Sequence, residues 1–116
     1  MLLCVVPPAS SRSPVDADTG GRHSLEAASD LLRALANPHR LAILIELGQG
    51  PRCVHELVGA LGISQPLASQ HLRVLKTIHL VRAQRRGREI AYSLGDEHVS
   101  HIVHDAIVHA EEIAHA

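Results

Sequence analysis

Aromatic side chains are almost absent from this chain, which has one tyrosine and neither phenylalanine nor tryptophan among its 116 residues. A core without large rings must be filled by leucine, isoleucine, valine and alanine, and these residues suit small packed helices. At this length we expect one domain with a modest hydrophobic core.

Long apolar segments and cysteine clusters are also lacking. No run approaches the roughly 20 apolar residues that span a bilayer, and the apolar residues 1–6 are too short for a signal-peptide core and follow no basic leader. Two cysteines, Cys4 and Cys53, do not make a disulfide framework. We therefore expect a soluble, cytoplasmic protein in a reducing compartment, with no membrane partner.

Excess charge of either sign is missing, since 11 lysines and arginines stand against 12 acidic residues. This balance excludes a polybasic coat for nucleic acid but allows a local basic surface. Histidine, by contrast, is abundant: the chain has 10. Five of them fall in the last 19 residues, at His98, His101, His104, His109 and His115.

The composition divides the chain into residues 1–23 and 24–116. Residues 7–23 are rich in Pro, Ser, Gly and Asp, and we predict a disordered arm over residues 1–23. Ser24 is a candidate N-cap for a first helix, whose leucines keep helical spacing as far as Leu35.

Three further helices are predicted from their start and stop signals. The pair Asn37-Pro38 breaks the first helix and begins the second. Gly62 stops a short third helix, and Ser64 caps the fourth. The predicted spans are 38–47, 54–61 and about 65–77.

A change of period after the fourth helix predicts two strands, residues 80–84 and 89–94, joined by an Arg85-Arg86-Gly87-Arg88 turn. A final helix runs from about Asp96 to His115, with an apolar stripe wide enough for its own domain and for a partner. This order of elements predicts a mainly α fold with a β-hairpin wing, a winged helix-turn-helix domain that forms a homodimer.

The fourth helix is then the recognition helix, and the hairpin carries basic residues. Glutamine and serine can contact base edges, whereas arginine and lysine suit phosphate or guanine. The alternative is a solvated polar helix beside a charged hairpin that resists edge pairing. The candidate DNA-binding residues are Ser64, Gln65, Ser69, Gln70, His71, Arg73, Lys76, Arg85, Arg86 and Arg88.

Near the end of the chain, Asp96 and His98 are followed, after ten intervening residues, by His109 and Glu112. All four are good zinc ligands. Because His98 and His109 share a helix face but lie about 16 Å apart along its axis, one straight helix cannot bring both to one ion. Two antiparallel copies can, so the spacing predicts two symmetric metal sites across a dimer.

Each of these four residues also has an ordinary structural explanation. Asp96 is well placed as an N-cap, His98 as a surface residue, His109 as part of a dimer seam, and Glu112 as the partner of an exposed base. Taken together, the four types at this spacing favour a tetrahedral zinc site, which cobalt would also occupy. Nickel prefers more ligands, which His101, His104 or His115 could supply.

A family resemblance is carried by four stretches: residues 32–44 (LRALANPHRLAIL), 53–57 (CVHEL), 65–75 (QPLASQHLRVL) and 87–94 (GREIAYSL). From about residue 25 onward the chain resembles the ArsR/SmtB family of metal-sensing repressors. The resemblance implies a homodimer that binds palindromic operator DNA and releases it when metal binds. It also implies that Asp96, His98, His109 and Glu112 form the zinc site on the last helix, since all four positions match.

A second metal site is also suggested by this resemblance. Cys53 and His55 stand where the family's other site has a Cys-x-Cys pair, and Cys4 and His23 of the arm could complete it. A helix N-terminus would lower the pKa of the Cys53 thiol. The replacement of the second cysteine by histidine weighs against cadmium or lead, and Cys53 has the alternative of being a small buried residue.

The sequence thus predicts a metal-responsive repressor. The alternatives are a redox- or sulfur-responsive repressor that uses Cys4 and Cys53, and a histidine-rich metal buffer without operator specificity. No phosphate-binding loop or catalytic serine motif is present, so we expect neither an enzyme nor a small-molecule substrate.

Overall fold

The structure is a computed structural model, and it describes residues 18–115. The elements are α1 (Asp18–Leu35), α2 (Pro38–Leu47), β1 (Arg52–Cys53), α3 (Val54–Leu61), α4 (Gln65–Thr77), β2 (Val81–Arg86), β3 (Glu89–Leu94) and α5 (Glu97–Ala114). This order confirms the predicted winged helix-turn-helix fold, with α3 and α4 as the helix-turn-helix and the β2–β3 hairpin as the wing. The chain divides after Arg33 into two units, and the core lies in the second, residues 34–116.

The predicted start of α1 is wrong. The helix begins at Asp18, so Ser24 lies inside it and residues 18–23 are helical rather than part of a disordered arm. No proline interrupts the chain between Pro14 and Pro38, so every backbone N–H can extend the helix toward its N-terminus. The rest of the predicted arm lies outside the described residues.

Local capping fixes the starts of α2 and α4 where the sequence predicted them. Asn37 Oδ1 accepts hydrogen bonds from the backbone N–H groups of His39 (2.9 Å) and Arg40 (3.1 Å). Ser64 Oγ accepts one from Leu67 N–H at 3.2 Å. Each cap satisfies helix N–H groups that have no partner within the helix, which contributes about 1 kcal/mol.

The sheet has three antiparallel strands in the order β1-β3-β2. The two-residue strand β1 was not predicted, and it pairs with β3 through Arg52 opposite Tyr92 and Cys53 opposite Ala91. The turn is narrower than predicted: Arg85 and Arg86 pair within the β2–β3 ladder, and only residues 87 and 88 turn. Gly87, at φ 66°, supplies the left-handed backbone that this tight turn requires.

The core of the second unit is aliphatic, as the composition predicted, and draws on every helix and strand of that unit. Its largest almost fully buried side chains, each at most 2% exposed, are Ile43, Leu57, Leu72, Leu75, Leu80 and Val81. Burying one such side chain contributes about 1.5–3 kcal/mol. The core fixes the outer faces of α4 and the wing, which carry the candidate DNA-binding residues.

Among the residues that the structure describes, no helix is both long and apolar enough to cross a membrane.

Candidate functional site

The outer face of α4 presents the polar residues that the sequence assigned to DNA. Its inner face packs Ala68, Leu72 and Leu75 into the core, which leaves the opposite side free. Gln65, Gln70, Arg73 and Lys76 are exposed there, and Ser69 is half-buried beside them. Ser64 is also exposed, although its hydroxyl oxygen already caps the helix.

The wing places four exposed arginines on a two-stranded ribbon, Arg82, Arg85, Arg86 and Arg88. Arg88 lies at the turn, and Arg86 is opposite Glu89 in the register of the two strands. Long cationic side chains on a rigid hairpin are suited to phosphate or minor-groove contact, where guanidinium groups bind without reading the base sequence.

The assignment of His71 to DNA contact is wrong, because this residue lies on the inner face of α4. It is only 7% exposed, and neither of its ring nitrogens has a hydrogen-bond partner among the described residues. Burial lowers the pKa of His71, and the positive charges of Arg40 and His39 lower it further. The His71 ring lies 5.6 Å from the ring of His39, between centroids. His71 is therefore a neutral core residue that DNA cannot reach.

At the start of α5, Asp96 is the N-cap, and its Oδ1 accepts hydrogen bonds from His98 N–H (2.8 Å) and Val99 N–H (3.3 Å). Both bonds use the same oxygen, so the cap does not occupy Oδ2. His98 Nδ1 lies 3.5 Å from Oδ1, and the side chains of His98 and Asp96 are 87% and 61% exposed. Capping and metal binding by Asp96 are therefore compatible.

His109 and Glu112 are exposed on the same helix. At about 100° per residue, His98 and His109 lie about 20° apart around the helix axis, but three turns apart along it. Within the described part of the chain, no three histidine, cysteine or carboxylate side chains are close enough to hold a metal ion. Two imidazoles and two carboxylates fit zinc by their chemistry, and they could meet at one ion only if a second chain supplied half of them.

The surroundings of Cys53 differ from those predicted. Its buried thiol donates a hydrogen bond to Glu89 Oε1 at 3.2 Å, and its backbone N–H donates to Glu56 Oε1 at 2.8 Å. The bond to Glu89 raises the pKa of the Cys53 thiol, and burial and the negative charges of Glu89 and Glu56 raise it further. The direction of this shift is opposite to the lowering expected from a helix N-terminus, and the thiol stays protonated at neutral pH.

One other member of the suggested second metal site, His55, lies beside Cys53, because both contact the carboxylate of Glu89. His55 is exposed, with Nδ1 3.5 Å from Glu89 Oε2. His23 lies in α1, in the first unit, and Cys4 lies outside the described residues. Glu89 is the neighbour that the sequence did not reveal, because it approaches Cys53 only through the unpredicted pairing of β1 with β3.

Comparison with known proteins identifies a family with this arrangement. A model of the arsR family of bacterial regulatory proteins matches residues 37–83. The repressor SmtB of Mycobacterium tuberculosis is 55% identical over 93 residues, which cover 80% of this chain and 69% of that protein. A cadmium resistance transcriptional regulatory protein, a CadC homologue of Staphylococcus aureus, is 34% identical over 85 residues, covering 72% and 70%.

Among solved structures, a homodimeric winged helix-turn-helix DNA-binding domain from Mycobacterium bovis superposes with a TM-score of 0.77. It is 32% identical, and the match covers 85% of this chain and 92% of that domain.

Proposed function

This chain belongs to the ArsR/SmtB family of winged helix-turn-helix transcriptional repressors, and on that basis we propose that it is a zinc-responsive repressor. A homodimer binds a palindromic operator and releases it when zinc binds at two sites between the subunits. The ligands of each site are Asp96 and His98 of one protomer and His109 and Glu112 of the other. Cobalt would bind at the same residues, and nickel would need further ligands such as His101, His104 or His115.

The observation that carries this proposal is the placement of the four ligands on α5. All four are exposed, and the two that start the helix cannot reach the two near its end within one chain. The metal site therefore requires a second copy of the helix, which makes metal binding sensitive to how the two protomers are arranged.

Apolar residues on the outside of α5 support the dimer. Ile102, Val108 and Ile113 are 36%, 36% and 64% exposed, while Val99 and Val103 on the inner side are buried. Packing the outer residues against a second copy would remove them from water at about 25 cal/mol for each Å² of apolar surface. The homodimeric state of the Mycobacterium bovis domain is consistent with this.

DNA binding is assigned to the outer face of α4 and to the wing. In a dimer the two recognition helices would enter major grooves about 34 Å apart, which is one turn of the duplex. Gln65 and Gln70 would contact base edges, while Arg73 and the wing arginines would neutralise phosphates.

Bound zinc would supply a fixed tetrahedral link between four side chains on two helices. Asp96 and His98 hold the start of α5 in one protomer, and His109 and Glu112 hold the end of α5 in the other. Fixing these positions selects one relative arrangement of the protomers, and operator affinity falls if that arrangement does not match the groove spacing. By linkage, operator DNA must lower zinc affinity by the same factor.

The test is a titration of zinc, cobalt and nickel into the wild-type dimer bound to a labelled duplex that the metal-free protein has selected from random DNA. Operator affinity should fall by about 5–150-fold, the usual range of allosteric coupling. His98→Ala should remove most of this effect. His104→Ala is the matched control, because His104 is an exposed histidine of α5 about 120° around the helix from His98.

Two results would contradict the proposal. One is a monomeric protein at the concentrations at which it binds DNA. The other is zinc affinity that is undiminished when Asp96 and His109 are both replaced by alanine.

A further inference from the structure

Two histidines from different helices lie side by side where α2 packs against α4. His39 is in the first turn of α2, and its ring centroid lies 5.6 Å from that of His71, with the ring planes tilted by 51°. His71 is buried on the inner face of α4, whereas His39 is exposed. The pair therefore joins a buried imidazole to one that solvent can reach.

The buried ring of this pair has unused hydrogen-bonding and ligating capacity. Neither ring nitrogen of His71 has a hydrogen-bond partner among the described residues, although buried polar groups in folded proteins are nearly always paired. Burial lowers the pKa of His71, so at neutral pH one of its nitrogens keeps a free lone pair. A neutral imidazole with a free lone pair is the form of histidine that binds metal ions.

The separation of the two rings is close to that of two imidazoles bound to one ion. A zinc–nitrogen bond is about 2.0–2.1 Å long, and the centre of an imidazole ring lies about 1.2 Å behind the nitrogen, so each ring centre stands about 3.2 Å from the ion. At a tetrahedral angle of about 110°, the two ring centres are then about 5.2 Å apart. The 5.6 Å between His39 and His71 needs only a small adjustment, which the exposed His39 side chain can make by rotation.

Two features limit the strength of such a site. The positive charge of Arg40, which lowers the pKa of His71, also opposes a bound cation, although its Nε is held by the carbonyl of Ala34 at 2.6 Å. No third histidine, cysteine or carboxylate in the described part of the chain joins the pair. Water must therefore complete the coordination from the side of His39, and we expect weaker binding than at a site with four protein ligands.

We propose that His39 and His71 form a metal site within each protomer, which binds a borderline divalent ion such as zinc or copper(II) and links α2 to the recognition helix. Imidazole suits both ions, and copper(II) generally binds more tightly than zinc. This site needs no second chain and does not depend on the ligands of α5. The ion would stabilise the packing of α4 on α2, while the outer face of α4 stays free for DNA.

The test uses the full chain with His98→Ala and His109→Ala, which removes both imidazoles of the proposed α5 site and keeps the Asp96 cap. Thermal unfolding is followed by far-UV circular dichroism, first with a chelator and then with free zinc. At a zinc concentration about five times its Kd, the Tm should rise by about 4–8 °C, the shift expected for an ion that binds only the folded state of a domain of this size.

Adding His71→Leu to this protein should abolish the rise in Tm, measured against the same variant in chelator. His104→Ala is the matched control, because it removes an exposed histidine of α5, and it should leave the rise in place. No rise with zinc, or a rise that persists in the His71→Leu protein, overturns the proposal.

Nuclear magnetic resonance of the histidine rings separates direct ligation from an indirect effect. Zinc should shift the ring signals of His39 and His71 with one common midpoint, and His39→Ala should remove the response of His71. A His71 ring that does not respond to zinc overturns the proposal. A wild-type dimer that keeps its operator at saturating zinc contradicts the proposed function alone, because it leaves these two readouts unchanged.

Discussion

Replacing His71 with leucine is expected to stabilise the folded protein at neutral pH, although it removes a polar residue from the helix assigned to DNA. Both ring nitrogens of His71 are buried without a hydrogen-bond partner among the described residues, and a buried polar group left in that state costs about 1–3 kcal/mol. Leucine fills a similar volume without polar atoms. Allowing for some misfit in the core, we expect a net gain of about 1–2 kcal/mol in the free energy of unfolding.

The same substitution should change how stability depends on pH. In the unfolded chain His71 titrates near its ordinary pKa of 6.5, whereas in the folded protein burial and the nearby charges lower that pKa. Well above pH 6.5, His71 is neutral in both the folded and the unfolded state, so it does not make the free energy of unfolding depend on pH. As the pH falls below 6.5, the unfolded state binds a proton that the folded state does not, so stability is lost by up to about 1.4 kcal/mol per pH unit.

The assay is urea unfolding followed by far-UV circular dichroism, with a chelator present and one fixed protein concentration, at about pH 7.5 and about pH 5. The difference between wild type and His71→Leu cancels the contributions of the other histidines, and that difference should widen at the lower pH. His101→Ala, at an exposed histidine of α5, is the control for replacing a histidine outside the core. A His71→Leu protein that is less stable at neutral pH, or a difference that does not change with pH, would refute the reasoning.

Three further predictions follow from single contacts. Glu89→Gln should lower the pKa of the Cys53 thiol, because it removes the carboxylate whose hydrogen bond and negative charge both raise that pKa; thiolate absorbance against pH in a Cys4→Ser background measures this, and an unchanged titration contradicts it. Asn37→Ala should lower the free energy of unfolding by about 0.5–2 kcal/mol through loss of the α2 cap, as measured by urea unfolding, and no loss would mean that the cap is dispensable. Arg88→Ala should weaken binding to all DNA sequences alike and reduce the slope of log K against log salt by about one, whereas an effect confined to one sequence would identify a base contact.

The parts of the fold that depend on neighbours in sequence were predictable. Asn37 before Pro38, Ser64 before Pro66, and Asp96 each fix a helix start through their own side chain and the next few N–H groups, so the local pattern contains the whole cause. The end of α3 at Gly62, where φ is 68°, is equally local.

The features that sequence reasoning missed depend on distant pairing or on competing local tendencies. β1 has two residues and exists because β3 lies beside it, and no pattern within Arg52–Cys53 could reveal that pairing. The effect of Glu89 on the pKa of Cys53 was missed for the same reason, because the pairing of β1 with β3 is what brings Glu89 to Cys53. His71 lies three residues after Ala68 and one before Leu72, so its spacing places it on the buried face of α4. Its polar side chain was nevertheless assigned to the exposed face.

The metal site is a different case, because the four proposed ligands meet only if a second chain is present. Their types, spacing and exposure on α5 are properties of one chain, whereas their convergence depends on the arrangement of two. The site therefore stays a prediction, tested by the titration of the dimer.

The position of β3 in the middle of the sheet has a consequence for the operator. β1 leads directly into α3 on one side of β3, and β2 completes the wing on the other, so the hairpin and the helix-turn-helix are tied together within one protomer. The distance along the DNA between the groove that α4 would enter and the position that the wing would contact is then fixed within one protomer. Under the proposed function, an effector that rearranges two such chains would leave each half of the palindrome recognised as before and would change only the required distance between the two halves. Lengthening or shortening the spacer between the two halves should accordingly mimic the inducer, while the sequence preferred in each half stays constant.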